Sequence, residues 1–253
     1  MSAILEVQNI TKRFGENTVI DDISFTVNKG EVIVILGPSG CGKSTLLRCI
    51  NGLEAIDGGT VSIDGDNISD SAGSIVKARS KIGMVFQSYE LFPHLNVIDN
   101  VMLAPIKVQK RNKTEVRDEA AELLARVGLS DKLKSRPSEL SGGQKQRAAI
   151  VRTLIMHPEL LLFDEVTAAL DPEMVREVLE VILDLANEGK TMMIVTHEMQ
   201  FARAAADRII MLDGGKIAEE NTPERFFTEP RTERAKLFLD TFTYEKIRSK
   251  KAV

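Results

Sequence analysis

One eight-residue string constrains this chain more than anything else in it. Gly37-Pro38-Ser39-Gly40-Cys41-Gly42-Lys43-Ser44 fits the pattern G-x-x-x-x-G-K-[ST] and directly follows Glu31-Val32-Ile33-Val34-Ile35-Leu36. That continuous, mostly β-branched run is the pattern of a strand buried on both faces, as in a parallel sheet. A helix is expected to follow, from Lys43 to about Asn51. Glycines let the backbone curl round an anion with successive N–H groups pointing inward, and the helix presents its positive end to the same spot. Lys43 then supplies a point charge at the β- and γ-phosphates of a nucleotide, and the Ser44 hydroxyl can ligate Mg²⁺. With the adjoining Thr45, Gly37 to Ser44 form the candidate phosphate cradle. Cys41 reads as a space-filling loop residue.

The flanking pattern fits an α/β core. Ile4–Ile10 and Ile23–Val27 read as half-buried strands, with Asn28-Lys29-Gly30 as a turn, and Thr60–Ile63 as another short strand. From about Gln87 to Leu140 the apolar period becomes helical. Thr114–Val127 carries Ala120, Ala121, Leu123, Leu124 and Val127 on one stripe, with Gly128 at its stop. This stretch reads as an inserted helical subdomain. Leu160–Phe163 is a second buried strand. Asp171 is expected to cap a helix that has Pro172 at its first position and Gly189 at its end. Thr191–Thr196 and Ile209–Asp213 are further apolar runs. Strands alternating with helices imply a largely parallel sheet. The tail Arg231–Val253 reads as a solvated terminal helix.

Two carboxylates, Asp164 and Glu165, follow the strand Leu160–Phe163. Ligands of an open α/β sheet gather at the carboxyl ends of its strands. Asp164 would hold Mg²⁺, directly or through water, and Glu165, across the pleat, would polarise an attacking water. His197 follows Thr191–Thr196 at the same sheet edge and can hydrogen-bond a γ-phosphate. Gln87 ends the strand Ile82–Phe86 and can reach Mg²⁺ or the water. His94 and His157 have no partners at metal-ligand spacing.

Leu140-Ser141-Gly142-Gly143-Gln144 opens a strong helical pattern. Ser141 is a good N-cap and the glycines expose backbone N–H groups, giving a second anion site at a helix N-terminus. One phosphate cradle needs no second site within one chain. A second makes sense if it covers the γ-phosphate bound by another copy.

In combination these motifs resemble, over nearly the whole length, the nucleotide-binding subunit of ATP-binding-cassette transporters. The resemblance implies a P-loop NTPase core with a mostly parallel sheet, an antiparallel β subdomain and an inserted helical subdomain. The core would be residues 1–86 and 146–253, and the helical subdomain 87–145, within one cassette domain spanning 1–253. It makes Phe14 the aromatic that stacks on adenine, Gly37–Ser44 the phosphate loop and Gln87 the Q-loop residue. Leu140–Gln144 becomes the signature, so that Ser141, Gly142, Gly143 and Gln144 meet nucleotide. Asp164 and Glu165 match the Mg²⁺-site carboxylate and the catalytic glutamate, Ala169-Leu170-Asp171 the D-loop, and His197 the switch histidine. It further implies ATP and Mg²⁺ as ligands and a head-to-tail homodimer sandwiching two ATPs. Transmembrane permease subunits would be direct partners and an extracytoplasmic solute-binding protein an indirect one, with the chain on the cytoplasmic face of the membrane. The segment Gln87–Val97, with Leu103-Ala104-Pro105, looks like that of bacterial polar-amino-acid importers. Val166 and Ala168 stand where most relatives have Pro and Ser, which puts a hydroxyl-mediated contact across the dimer in doubt.

Composition removes other classes. Two cysteines, Cys41 and Cys49, exclude a disulfide scaffold and a Cys-rich zinc module. Thirty-three Lys and Arg against 37 Asp and Glu give a net charge of −4, opposite to the basic excess of a dedicated nucleic-acid binder. No apolar run approaches the ~18–20 residues needed to cross a bilayer, and the first residues lack a secretory pattern. The nearest string to a guanine reader, Asn112-Lys113-Thr114-Glu115, ends in Glu and lies in the helical insert. A small-molecule kinase leaves Ser141–Gln144 unexplained. The ATPase subunit of a lipoprotein or lipid exporter, which shares every catalytic motif, and a non-transport ATP-binding-cassette ATPase remain the alternatives to amino-acid uptake.

Overall fold

The computed structural model describes residues 3–68 and 72–242. Two sheets organise them. The first pairs β1 (Ala3–Phe14) with β2 (Asn17–Asn28) on one side and β4 (Gly58–Ile63) on the other, all antiparallel, and β5 (Asp66–Asn67) closes its far edge. β1 and β2 are longer than their apolar patterns suggest, because the ladder continues past register shifts, with Asn9 and Asp22 in left-handed conformations.

The second sheet has six strands in the order β10-β9-β3-β8-β7-β6: Lys216–Asn221, Arg208–Asp213, Val32–Leu36, Met192–Val195, Leu160–Asp164 and Ile82–Val85. β9, β3, β8, β7 and β6 run parallel, and β10 returns antiparallel as a hairpin on β9. β3, β6, β7 and β8 are buried at every position, as expected of strands covered on both faces.

The helices fill in between. α1 (Lys43–Ile50) and α2 (Ala72–Lys81) lie between strands, and α3 (Val97–Lys107), α4 (Lys113–Arg126) and α5 (Gly142–Leu154) form the helical region. α6 (Pro172–Asn187), α7 (Met199–Ala205), α8 (Pro223–Thr228) and α9 (Glu233–Asp240) follow. Asn96 and Asn112 cap α3 and α4 with their side chains, and Gly128 (φ +71°) turns the chain just past α4. One apolar cluster joins the first sheet to α1 and one face of the second. Another joins the opposite face to α6 and the C-terminal helices. A third, from Val97, Val101, Val116, Ala120, Leu124, Ala148, Val151 and Ile155, holds α3, α4 and α5 together. α5 enters both of the last two clusters, so it ties the helical region to the core.

Three local expectations change. The strand before Gln87 ends at Val85, and Gln87 sits in the following turn. Asp171 occupies the N-cap position of α6, but its side chain makes no capping bond. The terminal helix is not merely solvated: α9 buries Ala235 and Phe238, and Glu219 receives hydrogen bonds from the backbone N–H groups of Arg231 and Thr232 and from the Thr232 hydroxyl. The tail beyond residue 242 lies outside the described residues.

Candidate functional site

The loop between β3 and α1 can be built only with certain glycines. Gly37 has φ +145°, and a Cβ there would lie 2.2 Å from the Leu212 carbonyl oxygen and 2.9 Å from Cys41 Sγ. Gly42, at φ +103°, would meet the Val19 carbonyl at 2.8 Å. The loop thus curls tightly against β9 and the start of β2. Lys43 is only 4% exposed, and its ammonium donates to the carbonyls of Gly37 and Pro38, both at 3.0 Å. Its charge is thereby laid along the inside of the loop. A small cavity of about 140 Å³ opens there, lined by Gly40, Lys43, Ser44, Thr45, Val19 and Glu165. Burial pushes the Cys41 thiol up from its ordinary pKa, against the opposing pull of Lys43, which suits a packing residue better than a reactive thiolate.

Parallel pairing brings the acidic side chains to this loop. β7 pairs with β8, and β8 with β3, so the carboxyl ends of all three strands share one edge. The Ser44 hydroxyl donates to Asp164 Oδ1 at 2.6 Å across 120 residues of sequence. Burial raises the Asp164 pKa, with the Ser44 hydrogen bond and the Arg48 charge working against the shift. Glu165 does not continue the pleat. It adopts φ +47°, and its N–H donates to the Val195 carbonyl at 3.0 Å. That turn swings its carboxylate over the loop: Oε1 lies 3.7 Å from Lys43 Nζ and 3.1 Å from His197 Nε2. Lys43, Glu165 and His197 therefore form one chain of contacts around the cradle mouth. A buried ammonium, a hydroxyl beside a carboxylate and a carboxylate hydrogen-bonded to histidine are groups able to hold a polyphosphate, a hard cation and an attacking water.

The remaining candidates sit further out. The side chain of Gln87 is exposed and has no hydrogen-bond partner among the described residues. Phe14 ends β1, is 48% exposed, and has the Lys12 ammonium 4.7 Å from its ring centroid. Asp171 is exposed. Ser141 caps α5 in a capping box: Gln144 N–H donates to its Oγ at 3.2 Å and its own N–H donates to Gln144 Oε1 at 3.0 Å. A Cβ on Gly142 would lie 2.9 Å from Leu170 Cδ2, and one on Gly143 would lie 3.0 Å from Met174 Cβ. These two glycines let the start of α5 press against the Ala169–Asp171 segment and α6. Neither Phe14 nor Ser141–Gln144 lines the cavity at the cradle.

Comparison with known proteins decides the family. A sequence model described as ABC transporter matches residues 20–168, more than half of the chain. The chain belongs to the ABC transporter family. The cassette is 52% identical over 236 residues to the glutamate/aspartate import ATP-binding protein GltL of Escherichia coli K12, covering 93% of this chain and 98% of that protein. It is 53% identical over 241 residues to the L-cystine import ATP-binding protein TcyC of Bacillus subtilis, covering 94% and 98% respectively. Among solved structures it is similar to a dimeric, post-hydrolysis state of the ATP-binding cassette MJ0796 bound to ADP and Pi. That match has a TM-score of 0.78 at 34% identity and covers 87% of this chain and 98% of the other.

The structure of the cassette also shows a feature that the sequence reading missed. A groove of about 990 Å³ runs between α1, α2, β6 and the helical region, lined by Leu53, Met84, Phe92, Leu103, Val108 and Met156 with Arg48, Arg79 and Lys107 among them. Its walls come from five separate stretches of sequence, so no local pattern announces it. Of the apolar segment Ser88–Val101, Val97 and Ile98 are buried in the α3–α5 cluster, while Phe92 faces the groove.

Proposed function

We propose that this cassette binds ATP with Mg²⁺ and hydrolyses it as a head-to-tail homodimer. The hydrolysis would drive uptake of polar amino acids through transmembrane permease subunits at the cytoplasmic face of the membrane. The observation that carries the hydrolytic part is the convergence of Lys43, Ser44, Asp164, Glu165 and His197 at one sheet edge. Mg²⁺ suits the site because a hydroxyl and a carboxylate oxygen stand side by side, a hard donor pair that leaves room for phosphate oxygens and water. Ser44 and Asp164 would hold it, joined by Gln87 as the resemblance implies, and its charge would neutralise the phosphates. The loop glycines and Lys43 bind the phosphates, Phe14 stacks on adenine, Glu165 takes the proton of the attacking water, and His197 orients it. Ser141–Gln144 and Asp171, which lie away from this chain's own cradle, would close over the nucleotide of the second copy.

The substrate assignment rests on the relatives, which are named for import of glutamate/aspartate and L-cystine. No described helix is long and apolar enough to cross a membrane, so permease chains would supply the channel and an extracytoplasmic protein would capture the solute. Residues 87–145 would act as the unit that meets the permease, with the large groove as its seat and the core at 1–86 and 146–253. Purification of the complex with its membrane partner, followed by ATP-dependent uptake of labelled glutamate, glutamine and cystine into proteoliposomes, tests the reading. Uptake of one of them supports it. A partner that instead releases lipoprotein or lipid would replace it with the exporter alternative. Phe92→Glu should reduce permease-stimulated hydrolysis more than the basal rate; full stimulation would place the docking surface elsewhere.

A further inference from the structure

The Gln87 side chain makes no hydrogen bond among the described residues, yet the backbone on both sides of it is held, and by the same helix. Before it, Gln146 Nε2 donates to the Phe86 carbonyl at 3.2 Å. After it, Arg152 donates through Nη2 to the Tyr89 carbonyl at 3.2 Å and through Nη1 to the Glu90 carbonyl. Tyr89 (φ +61°) and Glu90 (φ +52°) are consecutive non-glycine residues in the left-handed region, a conformation that persists only where the surroundings impose it. Gln146 and Arg152 both belong to α5.

Gln146 is chemically odd for a packing residue. It is fully buried, and while its nitrogen serves Phe86, its Oε1 has no hydrogen-bond partner among the described residues. An apolar side chain of similar size would fill the same space and bury no unpaired side-chain oxygen, but it would leave the Phe86 carbonyl without this donor. What the amide supplies, and an apolar group cannot, is a grip on the peptide that leads into Gln87. We propose that Gln146 is a positioning residue: it fixes the Phe86 carbonyl, and Arg152 fixes the two carbonyls beyond, so that the short turn between them presents Gln87 toward the Ser44–Asp164 pair. This rests on the reading of Gln87 as a residue that reaches the metal or the attacking water.

The test is a double-mutant cycle on the full-length cassette with Gln146→Leu, which keeps volume and removes both amide atoms, and Gln87→Ala. Misplacing a positioned group by about 1 Å is worth up to roughly a hundredfold in rate. Gln146→Leu should therefore lower kcat by at least about tenfold and raise the Mg²⁺ concentration needed for half-maximal hydrolysis, with Tm close to the parent value, since one unpaired acceptor replaces another, and ATP affinity in EDTA unchanged. In the Gln87→Ala background it should have no further effect. Wild-type turnover in Gln146→Leu, or an equal loss in both backgrounds, overturns the proposal. Wild-type turnover in Gln87→Ala alone overturns it by a different route, since the reading of Gln87 falls first. If the Leu variant does not fold, Gln146→Met is held to the same outcomes, and failure of both to fold assigns Gln146 to the core.

Discussion

Gly37→Ala separates steric necessity from simple flexibility in the phosphate loop. A Cβ at Gly37 would lie 2.2 Å from the Leu212 carbonyl oxygen, whereas ordinary contacts of this kind begin near 3.4 Å. Leu36 pairs with Met211, so Leu212 belongs to the hydrogen-bonded neighbour strand, and relief requires the loop to move by roughly 1 Å relative to the sheet. Gly37 also has φ +145°, a region that costs an L-residue about 1–3 kcal/mol, and forced overpacking adds a similar amount. The expected loss is about 2–6 kcal/mol, or a Tm lowered by roughly 5–20 °C for a chain of this size. The Gly37 carbonyl that moves is one of the two that hold the Lys43 ammonium, so hydrolysis should fall on the order of 10²-fold in any protein that remains folded. Gly40→Ala is the control: its φ is +78°, but no atom lies within 4 Å of the added Cβ, so only the backbone cost of about 1–2 kcal/mol applies. Thermal unfolding by circular dichroism and phosphate release measure both. Equal effects of the two substitutions would refute the steric argument.

Glu165→Gln should keep ATP binding and cut hydrolysis by on the order of 10²–10⁴-fold, trapping an ATP-bound dimer visible by size-exclusion chromatography. Near-normal turnover would reject Glu165 as the base. Phe14→Ala should weaken ATP binding by about 1–3 kcal/mol and Phe14→Tyr only slightly, as equilibrium titration with a fluorescent nucleotide would show. For Asp164, burial holds the folded pKa above the unfolded one, so the folded state binds that proton more tightly. The ionised group therefore weakens the fold above the raised pKa, and the penalty is lifted as pH falls through it toward the unfolded value. Asp164→Asn, which keeps an acceptor for Ser44, should have a higher Tm than the parent at pH 7, a difference that shrinks on acidification, and should lose Mg²⁺-dependent hydrolysis. A Tm at pH 7 no higher than the parent's would contradict this.

The sequence by itself determined whatever depends on neighbours along the chain. Continuous apolar runs marked β3 and β7 as doubly buried, Ser141 at the head of a helical pattern marked the N-cap of α5, and the glycine pattern before Lys43 encoded an anion loop, because each is local chemistry within a turn or a strand. Only the tertiary structure decided the rest. The Ser44–Asp164 contact spans 120 residues and exists because β3, β8 and β7 lie side by side in parallel register, an order no local signal carries. The left-handed turn at Glu165 is fixed by its hydrogen bond to Val195, a partner thirty residues away, and it corrects the expectation of a side chain across the pleat. Gln146 carries no local signal in the sequence; packing of α5 on the core buries it and sets its amide against the Phe86 carbonyl. Which polar group ends up buried, and beside what, follows from how elements distant in sequence close on one another, and that closure is a property of the assembled fold.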